Sequence, residues 1–484
     1  MRSVSAQRYD MKQSRTGSTK RTILQTVLLA IALVTLLASV TGLRSLPLVE
    51  VSNIASIGIV VVLFLVTRIF VQGIWSASAV YLFVYSLFHF GLTIAHGLDL
   101  QLPTRTEAYI LQWFFTPSTK EAVILSLIGL CSCAFGAHII SLLTTKHTRS
   151  SSHKDQQDHV FTYVGFLLVS LSLSGWFLIV VSIGGLGLLT GSYESFLINT
   201  AGTSLPLTYY GVGLGLTLLA ASPASLVRRI GFLMFVAWAL IALPLGLRGE
   251  VMFPALAALV VAAKRKIPIS PPKALLLLLC FLSIISVVRE LRQVGLQNYA
   301  LSEMRVNPID ALTEMGGSLR PVSEVVAWHE AGDELIYGAS YWAPFQRMLY
   351  RIVPDLSVSR LGAQDDDRIM NVLVQRRVGP IGFSPVAEAY YNFGSGGVAI
   401  VMLLTGLLLG WMDTWSSTRI RQAAIGLILV PLFIQIRNDF VAVPFQIGTG
   451  LVILYGTVLA AKTLKSKHSY ESHRISGTPL RSDT

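Results

Sequence analysis

Between Arg289 and Phe393 the chain carries ten arginines, thirteen acidic residues and no lysine. Guanidinium is planar, always charged and able to hold phosphate or carboxylate through two parallel hydrogen bonds, whereas lysine offers a mobile point charge. The interval is therefore biased toward anion recognition. Arg289 and Arg292 stand at i, i+3 after an apolar run and share a helical face, a position where cations also complement a helix C-terminus. Two more arginines lie outside the interval. Arg248, in Leu245-Gly246-Leu247-Arg248-Gly249-Glu250, sits between two apolar runs with almost no loop around it. Its charge is either a phosphate ligand or an interfacial group that snorkels to headgroups or pairs with Glu250. Arg437, with Asn438 and Asp439, occupies a tight turn between the last two apolar runs, as a ligand or as half of an Arg437–Asp439 pair.

Acid–base chemistry has fewer candidates. The segment Gly379 to Gly394 (GPIGFSPVAEAYYNFG) leads from a Gly/Pro turn into one carboxylate, two tyrosines and one amide. Glu388 and Asn392 are at i, i+4 and form one polar face on a helix. A carboxylate at a membrane edge is costly unless paired, which makes Glu388 a partner for an arginine or a base. His329, in Ala327-Trp328-His329-Glu330, is the other candidate base. Asp365, Asp366 and Asp367 are consecutive, so their side chains diverge; they read as a solvated turn rather than a metal site.

These residues need a scaffold, and composition specifies its class. The chain has 484 residues, 53% of them hydrophobic and only 13% charged, which implies an all-α polytopic membrane protein. An apolar run of spanning length occurs at Ile23–Leu43, and further apolar runs lie near 54–71, 75–96, 121–145, 160–183, 205–222, 230–247, 251–263, 273–288, 394–413, 421–436 and 441–461, which predicts about twelve transmembrane helices. The run at 251–263 is the shortest of them. The first run shows no signal-peptide cleavage pattern and reads as a retained span. Cys131, Cys133 and Cys280 all fall in apolar runs and form no disulfide or zinc pattern. A net charge of +12 does not point to nucleic acid here, because most cations flank apolar runs instead of forming one soluble patch.

Charge placement orients the spans. With the N-terminus inside, 23 of the 38 Lys and Arg fall on inner segments, and the short outer connections carry only Arg44, Arg105, Lys120, Arg248 and Arg437. That asymmetry predicts cytoplasmic termini and an outer location for the long loop. The expected organisation is a basic cytoplasmic arm over 1–21, nine transmembrane helices over 22–288, a large extracytoplasmic loop over 289–393, three more spans over 394–461 and a disordered cytoplasmic tail over 462–484. Within the loop, Tyr341 to Val353 places Trp342, Phe345, Leu349 and Ile352 on one helical stripe, with Arg347 and Arg351 on another. This predicts an interfacial helix lying on the lipid bilayer.

The order of these features resembles the Wzy-type O-antigen or oligosaccharide repeat-unit polymerases. The resemblance rests on Leu247-Arg248-Gly249, on Tyr337-Gly338-Ala339-Ser340-Tyr341 followed by Ile352-Val353-Pro354, on the Ser384 to Gly394 segment, and on Arg437 before the last span. It implies a GT-C-like membrane glycosyltransferase of the bacterial cytoplasmic (inner) membrane, related to O-antigen ligases. It further implies inverting, metal-independent transfer with no cofactor, in lipopolysaccharide or exopolysaccharide biosynthesis. Donor and acceptor would both be undecaprenyl-diphosphate-linked oligosaccharides, joined on the outer side of the membrane. A flippase and a chain-length regulator would be the accompanying proteins. On this reading Arg248, Arg289, Arg437 and Arg292 bind the diphosphate, Glu388 or His329 serves as base, and Tyr390, Tyr391, Asn392 and Trp328 meet the sugars. Two other functions fit the same architecture, a ligase-type transferase and a transporter of lipid-linked sugars or polysaccharide. The spans are almost free of charge and show no repeated halves, which argues against transport.

Overall fold

A computed structural model describes residues 23–70, 72–100, 112–144, 159–200, 202–263, 276, 283–288, 307–353, 362–415 and 418–475. Every regular element among them is helical. In chain order these are α1 (Ile23–Ala38), α2 (Val40–Ser45), α3 (Leu48–Val66), α4 (Ala77–Gly97), α5 (Pro117–Thr144), α6 (Val160–Gly184), α7 (Tyr193–Thr200), α8 (Leu205–Ala221) and α9 (Leu226–Ala242). There follow α10 (Arg248–Ala263), α11 (Pro308–Met315), α12 (Arg320–Glu330), α13 (Ala339–Ile352), α14 (Met370–Arg377), α15 (Pro385–Thr414), α16 (Arg419–Gln435) and α17 (Val443–Ile475). Helices are what long apolar runs must form in lipid, because only they satisfy every backbone group within the segment.

Among the described residues six helices are long and apolar enough to cross a membrane, or seven if α7 and α8, bent by 106°, are one span. The protein is thus a polytopic membrane protein. The first predicted span divides at Ser39 into α1 and α2. Helices α8, α9, α10 and α16 have 17, 17, 16 and 17 residues, and most of the run at 273–288 lies outside the described residues. Helix α17 continues to Ile475, past Lys462 where the sequence predicts a disordered tail.

The chain forms two compact units. The first comprises 1–150, 266–416 and 431–445; the second comprises 151–265, 417–430 and 446–484. In the second, α6 packs on α8 where Gly165 meets the backbone of Gly215, and the indole N–H of Trp176 donates to the Tyr209 hydroxyl at 3.3 Å.

The first unit is built on α5 and α15. Gly406 and Gly410 of α15 face Cys133 and Ala137 of α5, and a Cβ at Gly406 would collide with the Cys133 carbonyl oxygen. Small residues four apart let two backbones touch, which is how helices associate where lipid removes the hydrophobic drive. The adjoining α4 starts at the same end of α15. Its first amides, Ala77 and Ser78, donate to the buried Asp413 carboxylate at 2.7 and 2.9 Å, and the Ser76 hydroxyl accepts from Ala79 at 3.1 Å. These acceptors satisfy N–H groups that a helix start leaves open. Replacing Gly406 by Leu should destabilise the unit by about 1–3 kcal/mol or more, the cost of forcing a side chain into filled space. A lowered thermal transition in detergent, or loss of monodisperse protein, is the expected readout; an unchanged transition would mean that the contact is not needed.

Helix α15 is not one straight rod. Gly394 has φ 67 and ψ −161, a break that only glycine adopts readily. Beyond it the chain turns back on itself. A Cβ at Gly397 would lie 2.7 Å from the Ala389 carbonyl oxygen, and Val386 and Met402 both lie against Gly129 of α5. The break frees the Tyr391 and Asn392 carbonyls, which accept instead from the amides of Ile336 and Tyr337 at 3.3 and 3.1 Å. This ties the stretch before α13 directly to α15.

Candidate functional site

At the N-terminal half of α15, Ser384 caps the helix by accepting from Ala387 at 3.1 Å, and Pro385 fills the first turn. The next turn carries Glu388, fully buried. One carboxylate oxygen accepts from the Ser340 hydroxyl at 2.7 Å, the other from the Phe440 backbone amide at 2.8 Å. The Asn392 amide donates to Ser340 at 2.8 Å and to the Glu388 carbonyl at 2.7 Å. Three segments are thereby joined: α15, the start of α13, and the turn after Arg437. The pairing of Glu388 with an arginine expected from sequence does not occur among the described residues; neutral donors compensate the buried carboxylate instead.

The Arg437 turn is held from several sides. The Phe383 amide donates to the Arg437 carbonyl at 3.1 Å, and Gly382, with φ +75, approaches that oxygen so closely that a Cβ would sit 2.5 Å from it. The guanidinium of Arg437 lies over the Phe88 ring, 5.4 Å from its centroid. Asp439 is not its partner. That carboxylate is buried and accepts from the Asn371 amide at 2.9 Å, capping α14. Burial raises its pKa from the ordinary aspartate value, and the amide bonds oppose the shift.

Beside this network stands a second cluster. The His329 Nδ1 and the Asp333 carbonyl oxygen are 2.6 Å apart. A carbonyl only accepts, so Nδ1 carries a proton, and Nε2 is the ring nitrogen left to act as a base. Nε2 is buried and has no hydrogen-bond partner among the described residues. The imidazole lies 5.4 Å from the Tyr390 ring and 5.2 Å from the Tyr391 ring, with Trp328 6.0 Å from Tyr391. The Asp333 carboxylate accepts from Arg377 at 2.5 Å and from the Tyr391 hydroxyl at 3.1 Å, and Arg377 stacks over Trp328 at 4.7 Å. The fold therefore gathers Trp328, His329, Tyr390 and Tyr391, which the sequence proposes separately.

A third cluster separates the acidic triplet. Buried Asp366 accepts from Arg368 at 2.8 and 2.9 Å and from Arg347 at 3.3 Å, while Asp365 and Asp367 turn to Arg376. The Arg368 hydrogen bond is the main reason that the Asp366 pKa lies below its ordinary value. A folded-state pKa below the unfolded one adds stability that is complete above the unfolded carboxylate value, about 3.9, and is lost as pH falls through the lowered value. Asp366→Asn should lower the thermal transition at neutral pH and flatten its decline below about pH 4. An acid profile unchanged by the substitution would show that the pair adds nothing.

The remaining expected ligands are placed unevenly. Arg248 begins α10 in the second unit and is buried, so it does not snorkel outward. Arg289 and Arg292 lie outside the described residues. Sequence reasoning missed Asp333, Ser340, Asn371 and Arg377 as members of these clusters. For Asp333 one faint signal existed, its position four residues after His329.

Comparison with known proteins identifies the family of the chain. Residues 22–467 match the family described as O-antigen polysaccharide polymerase Wzy. Protein CapE of Staphylococcus aureus is 25% identical over 373 residues, covering 76% of this chain and 81% of that protein. No solved structure matches. A polytopic helical chain with its polar residues gathered around α13 and the first half of α15, matched over nearly its whole length, belongs to the O-antigen polysaccharide polymerase Wzy family.

Proposed function

We propose that the protein joins undecaprenyl-diphosphate-linked oligosaccharide repeat units by inverting, metal-independent glycosyl transfer on the outer side of the bacterial cytoplasmic membrane. The observation that carries this reading is the unpartnered Nε2 of His329, held in one tautomer and ringed by Tyr390 and Tyr391. Nε2 takes the proton of the acceptor hydroxyl as that oxygen bonds to the donor's anomeric carbon. The bond from that carbon to the phosphate oxygen breaks, and the electron pair leaves with the diphosphate. Preorganised guanidinium groups stabilise the charge that develops there, with no metal required for the purpose. Arg437 is the first of them, and Arg248, Arg289 and Arg292 are further candidates.

Glu388 is then a positioning residue: both its oxygens are engaged, and they hold α13 and the Arg437 turn in place. Tyr390, Tyr391 and Trp328 offer ring faces to the sugars. We further infer about twelve spans in a GT-C-like arrangement with both termini cytoplasmic, supplied with substrate by a flippase and governed by a chain-length regulator. Membership of a polymerase family favours this reading over a ligase or a transporter. The test is incubation of the purified protein in detergent with a lipid-diphosphate-linked repeat unit and a chelator, read by product size. A ladder of multiples is expected. Unchanged substrate, with folded protein and a cognate unit, would overturn the proposal.

A further inference from the structure

The turn after α12 governs the surroundings of His329. The helix ends in a Schellman motif, in which the Gly332 amide donates to the His329 carbonyl at 3.0 Å and the Asp333 amide to the Trp328 carbonyl at 3.0 Å. Gly332 has φ +107, which a residue with a Cβ rarely adopts. This reversal brings the Asp333 carbonyl back onto the imidazole Nδ1. With its amide and carbonyl both committed to α12, Asp333 meets other elements through its carboxylate. One oxygen of that carboxylate accepts from both Arg377 and the Tyr391 hydroxyl. Arg377 is the last residue of α14, and its guanidinium also covers the Trp328 ring. A single side chain therefore grips the residue before His329 and the residue that binds its Nδ1. The grip is exerted from an anchored element, because the other end of α14 is tied to the Arg437 turn through the Asn371 amide and Asp439.

We propose that Arg377 is a positioning residue that acts through Asp333 to keep Nδ1 as the donor nitrogen of His329 and Nε2 as its base. The inference rests on the base role proposed above for His329 and names what orients the ring. A base works only while its lone pair faces the acceptor hydroxyl, and one hydrogen bond to a mobile carbonyl would not hold an imidazole whose terminal torsion is broad and two-fold. Fixing the Asp333 carboxylate fixes the carbonyl of the same residue. Guanidinium suits the task because its planar face stacks on indole while its edge donates to a carboxylate. Without Arg377 the carboxylate keeps only the Tyr391 hydroxyl, and it can turn to water or displace its own carbonyl at Nδ1.

Magnetic resonance of the whole protein in detergent, with isotope-labelled histidine, reads the Nδ1–H signal without turnover. The chain has nine histidines, so the His329 signal is assigned as the one missing from His329→Gln. Arg377→Met keeps apolar bulk over Trp328 and loses the donors. It should remove or broaden that signal at an unchanged thermal transition and lower turnover about tenfold to a hundredfold, with KM little changed. Arg377→Lys, which keeps a cation for Asp333, should restore the signal. In a His329→Ala background Arg377→Met should cost nothing further, because residues that act as a unit are not additive. If Arg377→Met does not fold, Arg377→Gln carries the same measurements. An intact Nδ1–H signal in the variant, or an equal loss of turnover in both backgrounds, would show that Arg377 only braces the fold and would overturn the proposal. Loss of the signal, with polymer made at the wild-type rate by both Arg377→Met and His329→Ala, would leave the hold on the imidazole standing and remove His329 as the base.

Discussion

His329→Ala should lower polymerisation turnover by about a hundred- to ten-thousandfold, the contribution of a positioned general base, while changing the apparent affinity for the lipid-linked unit little. The expectation follows from what the imidazole does and does not touch. Its Nδ1 proton is spent on the Asp333 carbonyl, so the reactive lone pair is confined to Nε2, which faces no protein donor. The rings that would hold the sugars belong to Tyr390, Tyr391 and Trp328 and remain in the variant. Loss of a group that acts only in the transition state lowers turnover and specificity constant alike. His329→Gln should be as inactive, since an amide can keep a bond to Asp333 but cannot take the proton. Initial rates at several substrate concentrations, with a thermal-shift control, measure this. A His329→Ala protein that builds polymer at the wild-type rate would exclude the residue from the chemistry.

Glu388→Ala should abolish stable folding of the first unit. The substitution strands the Ser340 hydroxyl and the Phe440 amide in a fully buried place. Each stranded donor costs about 1–3 kcal/mol, and the volume vacated adds a cavity cost on top. Glu388→Gln distinguishes the two roles left open for this residue. Its amide oxygen still accepts from Phe440, and its NH2 can donate to the Ser340 oxygen after the hydroxyl turns. The fold should survive with a loss of about 1 kcal/mol, and turnover should stay within about tenfold of wild type. Turnover falling more than a hundredfold at unchanged thermal stability would instead make Glu388 the base and His329 a bystander.

Legibility from sequence differed between elements for physical reasons. Helix α13 was readable because an amphipathic stripe is a local periodicity, and the structure keeps Trp342, Phe345 and Leu349 exposed over Ala339–Ile352. The GxxxG spacing of Gly406 and Gly410 was visible as letters, yet its partners Cys133 and Ala137 lie about 270 residues earlier in the chain. The break at Gly394 was hidden by the largely apolar segment that begins there, since a glycine in such a segment does not announce its φ. For the charged residues sequence offered neighbours as partners, Asp439 for Arg437, and the fold chose distant ones, Asn371 for Asp439 and Phe88 for Arg437.

By itself, then, the sequence determined a polytopic helical membrane protein, the residue types available for chemistry, and, through the order of its motifs, a resemblance to a polymerase family. Composition, period and charge asymmetry are summed along the chain and need no knowledge of contacts. Only the tertiary structure decided that Glu388 is tied to Ser340 and Phe440, that His329 Nδ1 donates a hydrogen bond to the Asp333 carbonyl, and that Trp328, Tyr390 and Tyr391 share one place. A hydrogen bond is directional and ends within a few tenths of an ångström, so which donor meets which acceptor depends on how separate helices pack.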